Sequence, residues 1–127
     1  MTPQEFPRAF AAAFGAQDAE RLAGYLSDDA GVLTLTGSWV EGREKVRVAL
    51  AAEFSGIFAR ARLVTGKVQQ RDLSAGISLL HQRFVVSGAQ GQDGTDLPRF
   101  GAILSAVLVA DAAGWQVASL SFSGLAE

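Results

Sequence analysis

Apart from one short run at Val32–Thr36, the hydrophobic spacing of this chain changes near Ala61 from every third or fourth residue to every second, and it does not change back. A helix returns a side chain to the same face after about 3.6 residues and a strand after two. The N-terminal part must therefore bury stripes and the C-terminal part alternating faces. Segregation of helices from strands excludes a repeating strand–helix–strand architecture and calls for α+β, with helices packed on one face of a curved sheet.

The helical part divides into three. Phe6, Phe10, Ala13 and Phe14 form one apolar stripe, preceded by Thr2-Pro3-Gln4-Glu5, a capping-box pattern, and closed by Gly15. Pro7 lacks a backbone N–H, so this helix either kinks there or starts near Phe6. Asp18 caps a second, shorter helix whose inner face carries Ala19, Leu22, Ala23, Tyr25 and Leu26. A short strand, Val32–Thr36, turns at Gly37-Ser38. A third helix then runs from Arg43 to Ile57, burying Val46, Leu50, Phe54 and Ile57.

Four strands follow: Arg62–Asp72, Ile77–Ser87, Phe100–Ala110 and Trp115–Phe122, read as antiparallel neighbours. The connector Gly88–Pro98 is longer than the others and rich in glycine, a hairpin loop. The last two strands do not alternate strictly. Phe100–Val109 is apolar on both faces, and so is the strand from Trp115 to Phe122. A sheet with one face in water alternates apolar and polar side chains, so two apolar faces need two covers. Three helices cover one face. The expected second cover is another copy of the chain, a homodimer through the outer face of the sheet.

Composition narrows the function classes. With 127 residues, 49% hydrophobic and 19% charged, the chain fits one globular domain spanning 1–127. Zero cysteines remove disulfides, thiol nucleophiles and cysteine-based metal sites, and one histidine removes the paired-histidine zinc motif. No metal and no cofactor are expected. The net charge of −2 gives no pull toward nucleic acid, although Arg43 to Arg71 gathers seven basic side chains against Glu44 and Glu53. No apolar run approaches the ~18 residues of a membrane span, and Met1–Glu5 has no basic or apolar leader character, so a cytoplasmic protein without a membrane partner is expected.

Several stretches resemble the nuclear transport factor 2-like superfamily, in its SnoaL-like and SgcJ/EcaC-type branch. These are Gly15–Leu22 into the second helix, Leu26-Ser27-Asp28-Asp29-Ala30 before the first strand, and Glu41-Gly42-Arg43-Glu44-Lys45-Val46 into the third helix. Ile77-Ser78-Leu79-Leu80-His81 is similar to the central strand, and Gly114-Trp115-Gln116-Val117-Ala118-Ser119 to the closing one. The resemblance covers essentially the whole chain in the right order. It implies a cone-shaped curved antiparallel sheet with three N-terminal helices and a pocket between them. It implies no single activity, because isomerases, dehydratases, cyclases and binding modules share the fold.

Candidate site residues are few. The isomerase arrangement needs a carboxylate base with a tyrosine and a protonated aspartate. Here the loop Thr36–Glu41 offers no carboxylate before Glu41, which the helix start at Gly42 accounts for. Tyr25, the single tyrosine, reads as core packing, with a pocket role as the alternative. The closing strand reads Ser119-Leu120-Ser121-Phe122, without the acid or base that dehydratase- and cyclase-like relatives place there. His81 shares a strand face with Leu79 and Arg83, and is the candidate acid–base group or ligand contact; the alternative is a partly buried structural histidine. Trp39 and Arg99 complete the pocket-lining candidates. Asp28 and Asp29 read as the end of the second helix, and Gln92–Asp96 as a solvated turn, lacking a full calcium loop. The expected ligand is a small apolar or anionic molecule. The readings left open are a binding domain, a cofactor-free isomerase, dehydratase or cyclase using His81, and a homodimeric association domain with a vestigial pocket.

Overall fold

The computed structural model describes residues 1–125. The helices are α1 (Phe6–Gly15), α2 (Ala19–Ala23) and α3 (Arg43–Phe54). The strands are β1 (Leu26–Leu33), β2 (Trp39–Glu41), β3 (Arg62–Ser74), β4 (Ile77–Ser87), β5 (Phe100–Asp111) and β6 (Gly114–Gly124). They form one curved, unclosed sheet in the order β2-β1-β6-β5-β4-β3, with the helices on one face. The four C-terminal strands lie within two residues of their expected bounds.

Local chemistry explains the helix ends. Thr2 donates through its amide and hydroxyl to the Glu5 carboxylate, at 3.2 and 2.8 Å, and helix geometry begins only at Phe6 with Pro7 in the first turn. Proline is tolerated there because first-turn N–H groups have no helical acceptor. Asp18 caps α2 by accepting from the Arg21 amide at 3.0 Å. Gln17, at φ 53°, makes the left-handed turn between α1 and α2, and its side-chain amide donates to the Phe14 and Ala61 carbonyls. Those two bonds hold a non-glycine residue in a region that L side chains rarely adopt.

Three expectations are corrected. The second helix ends at Ala23, so Tyr25 and Leu26 are not on it. The first strand is Leu26–Leu33 rather than Val32–Thr36, and it forms a hairpin with Trp39–Glu41. Asp28 and Asp29 therefore sit on a strand. Between Leu26 and Gly31 β1 uses five residues where β6 advances two, from Val117 to Ser119. This bulge frees the acidic pair from the ladder, leaves both exposed, and lets Asp28 form an ion pair with Arg43 of α3. Finally, the sheet is mixed, because β1 runs parallel to β6 while the other neighbours are antiparallel.

The core is aromatic. Phe10 stacks on Phe84 at a centroid distance of 5.9 Å and meets Phe122 edge-on at 5.2 Å. Phe14 packs edge-on against Phe54 at 5.1 Å and lies 5.5 Å from Phe58. These rings join α1, α3 and the helix-facing side of the sheet into one cluster and fill the space between them.

Candidate functional site

Alternation on β4 decides where each candidate points. Ser78, Leu80, Gln82, Phe84 and Val86 are buried under the helices. Leu79, His81 and Arg83 do share a face, as the spacing predicts, but it is the outer face, away from the helices. There His81 pairs with Gln69 and Ser105, and Arg83 pairs with Ile103. Trp39 lies on the same outer face at the far edge, its indole over Gly31 and its Nε1 donating to Glu41 at 3.0 Å. Arg99 is exposed just ahead of β5. The five sequence candidates are thus not gathered at one site. Of them, only Tyr25 lines the opening on the helix side.

That opening is a cleft of about 910 Å³ between the N-terminal segment with α1 on one side and β3 and β4 on the other. Its apolar wall includes Pro7, Val68 and Leu80, and its polar groups include Arg8, Arg21, Tyr25 and Gln82. The phenylalanine rings pack between the helices and the sheet and none of them lines this opening, so the expected pocket is an open cleft at the sheet edge rather than a cavity inside the cone.

Two arrangements in the cleft are organised before any ligand arrives. Arg21 Nε donates to the Tyr25 hydroxyl at 3.1 Å, leaving the phenolic hydrogen and the remaining guanidinium N–H groups free to donate. Gln82 is 3% exposed. Its amide nitrogen lies 3.0, 3.3 and 2.7 Å from the carbonyls of Gly66, Lys67 and Arg83, where β3 shifts register. Three acceptors around one atom fix that atom as nitrogen, since an oxygen there would be repelled. Among the described residues no donor reaches the Gln82 Oε1. Glu5 is the one carboxylate among the described residues of the wall. It is held below its ordinary pKa by the Thr2 hydrogen bonds, so it remains an ionised acceptor.

Sequence reasoning missed Arg8, Arg21 and Gln82. The available signal was the alternation of β4, but its two phases, Ser78/Leu80/Gln82/Phe84/Val86 and Ile77/Leu79/His81/Arg83/Val85, carry three apolar side chains each. Elsewhere the charges pair locally. Arg47 donates bidentately to Glu44, which keeps that carboxyl below its usual range. The Asp93 carboxylate, likewise lowered, accepts from the Thr95 amide and hydroxyl within the long loop. Among the described residues no three His, Cys, Asp or Glu side chains gather as a metal site would require. No described helix is long and apolar enough to cross a membrane.

No family model and no curated protein matches the chain. Solved structures match it from end to end. An uncharacterised protein with a cystatin-like fold from Caulobacter vibrioides superposes with a TM-score of 0.88 at 20% identity, covering 97% of this chain and 87% of that one. A proposed dehydratase of the NTF2-like family from Streptomyces avermitilis gives 0.77 at 14% identity, over 95% and 91% of the two chains. The chain has the nuclear transport factor 2-like fold. A third structure with a similar arrangement, a proposed calcium/calmodulin-dependent protein kinase II association domain from Xanthomonas campestris, gives 0.77 at 13% identity over 98% and 86%. Likeness at these identities carries the nuclear transport factor 2-like architecture and leaves activity to the residues of the site.

Proposed function

We propose that this protein is a small-molecule-binding domain of the SnoaL-like kind, with its ligand in the cleft between α1 and β3, and that it works as a homodimer through the outer face of the sheet. The observation that carries the binding reading is Gln82, a buried amide whose nitrogen is fully engaged and whose oxygen is left without a donor at the cleft wall. That oxygen is open to the cleft, so it offers an acceptor to a ligand donor. Binding is favoured over acid–base catalysis because the cleft's one described carboxylate is already engaged by Thr2 and its wall includes no histidine.

The dimer reading rests on the outer face. Leu33, Leu79, Ile103 and Val107 are half-buried there without a covering layer, around the small side chains of Ser105, Ser119 and Ser121. Its charges are segregated: Glu41 stands on β2 at one edge, and Arg71 and Arg83 stand on β3 and β4 at the other. A two-fold axis along the strands, between β6 and β5, sets the β2 edge of one copy over the β3–β4 edge of the other and pairs opposite charges twice. The association domain among the similar structures supports an assembling role for this architecture.

Sedimentation velocity over a micromolar concentration series tests the dimer. The native protein is expected to sediment as a dimer and Val107→Glu as a folded monomer. A native monomer throughout overturns it. For the cleft, a metabolite library is expected to yield compounds that shift the Gln82 side-chain amide signal in NMR, and a library that shifts no cleft signal overturns the binding reading.

A further inference from the structure

We infer that the cleft selects a carboxylate-bearing amphiphile with a hydroxyl or amide N–H part-way along its apolar body; this rests on the binding reading above. The cleft sets an anion subsite and an acceptor subsite along one apolar wall. At the anion subsite, Arg21 and Tyr25 form a prearranged donor pair. The Tyr25 hydroxyl accepts from Arg21 Nε at 3.1 Å, so its own hydrogen and the outer guanidinium N–H groups are free for an acceptor. Arg8 lines the same cleft, and neither Arg8 nor Arg21 forms an ion pair among the described residues. Glu5 is the opposing charge in the wall, and its Oε1 accepts from both the amide and the hydroxyl of Thr2. Two cations against one engaged carboxylate favour a ligand that brings negative charge, and the guanidinium fork matches a carboxylate.

The acceptor subsite is Gln82 Oε1. Its nitrogen is locked onto the β3 and β4 carbonyls, so the amide cannot turn to offer a donor instead. A ligand acceptor is rejected there and a ligand donor is favoured, because an amide oxygen can only accept and two facing acceptors repel. Val68, Ala9 and Ala12 supply apolar wall for the body of the ligand. Gln82 stands on β4, and Tyr25, in the turn after α2, packs edge-on against Phe6, so the core holds one group of each subsite in place.

Isothermal titration with 3-hydroxydecanoate, its methyl ester and decanoate tests the class. The hydroxy acid is expected to bind at least about tenfold more tightly than its ester, a difference of one charge-assisted interaction. Arg21→Gln and Tyr25→Phe are expected to erode the preference for acid over ester, Arg21→Gln more. Gln82→Leu is expected to abolish the preference for the hydroxy acid over decanoate while keeping that for acid over ester. If Gln82→Leu fails to fold, the native preference for the hydroxy acid over decanoate decides the acceptor subsite by itself. An ester that binds as well as the acid, or an acid preference unchanged in Arg21→Gln, overturns the class yet leaves the cleft a binding site. Failure of the acid, the ester and decanoate alike to shift the Gln82 amide signal overturns the class, and with a negative library the binding reading also falls.

Discussion

The two faces of the sheet are built from the same strands and meet different fates. On the inner face, Leu80, Phe84, Leu104, Leu108, Leu120 and Phe122 are buried under three helices and joined by aromatic contacts. On the outer face, Ile103 and Val107 are only partly covered by their neighbours, and Val85 and Val109 each remain 38% exposed. On β4 and β5 apolar content alone does not separate the faces; on β6, expected to be apolar on both, a bulge turns Val117, Leu120 and Phe122 all inward and leaves Ser119 and Ser121 outside. What separates them is the helical stripe Phe6, Phe10, Ala13 and Phe14, which has one partner surface and makes whichever face it lands on the core. The inner face thereby becomes committed to stability. The outer face and the inner edge along β3, where the cleft opens, are not covered by the helices.

The largest effect that would test this contrast is on the inner side. Phe10→Ala removes a ring in contact with Phe6, Phe14, Phe84 and Phe122 and is expected to cost about 3–5 kcal/mol in urea denaturation. A loss below about 1 kcal/mol would mean that the cluster does not hold the helices to the sheet. Adjacent residues of β5 give a sharper comparison. Ala106 is 1% exposed on the inner face, so Ala106→Val is expected to cost about 1–3 kcal/mol by overpacking. Ser105 points outward, and Ser105→Val, measured at dilutions that keep the protein monomeric, is expected to change stability by no more than about 0.5 kcal/mol. Equal costs at the two positions would remove the distinction. One further substitution has the opposite sign. Ser78 is fully buried and its Oγ has no partner among the described residues, so Ser78→Ala is expected to stabilise by about 1 kcal/mol, visible as a raised Tm. A destabilised variant would reveal a hydrogen bond at that hydroxyl.

The sequence exposed the elements that announce themselves by local chemistry. The α1 stripe, the Asp18 cap, the start of α3 and the four C-terminal strands follow from periodicity and short-range hydrogen bonding, and they appear where expected. The β1–β2 hairpin was hidden because Ser27-Asp28-Asp29 reads as a polar terminus. Only the bulge against β6 and the ion pair with Arg43, distant in sequence, make a strand of it. The cleft was hidden for a related reason. Gln82 is one polar residue in an ambiguous alternation, and Arg8 and Arg21 lie on separate helical segments, with nothing local to mark them as neighbours.

By itself, the sequence determined the three helices, the four C-terminal strands and the α+β class, since these depend on residues a few positions apart. The tertiary structure decided which face of β4 is inside. That choice moved His81 and Arg83 to the outer surface and Gln82 to the cleft, because a strand offers two faces and only the docking of α1 through Phe10 onto Phe84 distinguishes them.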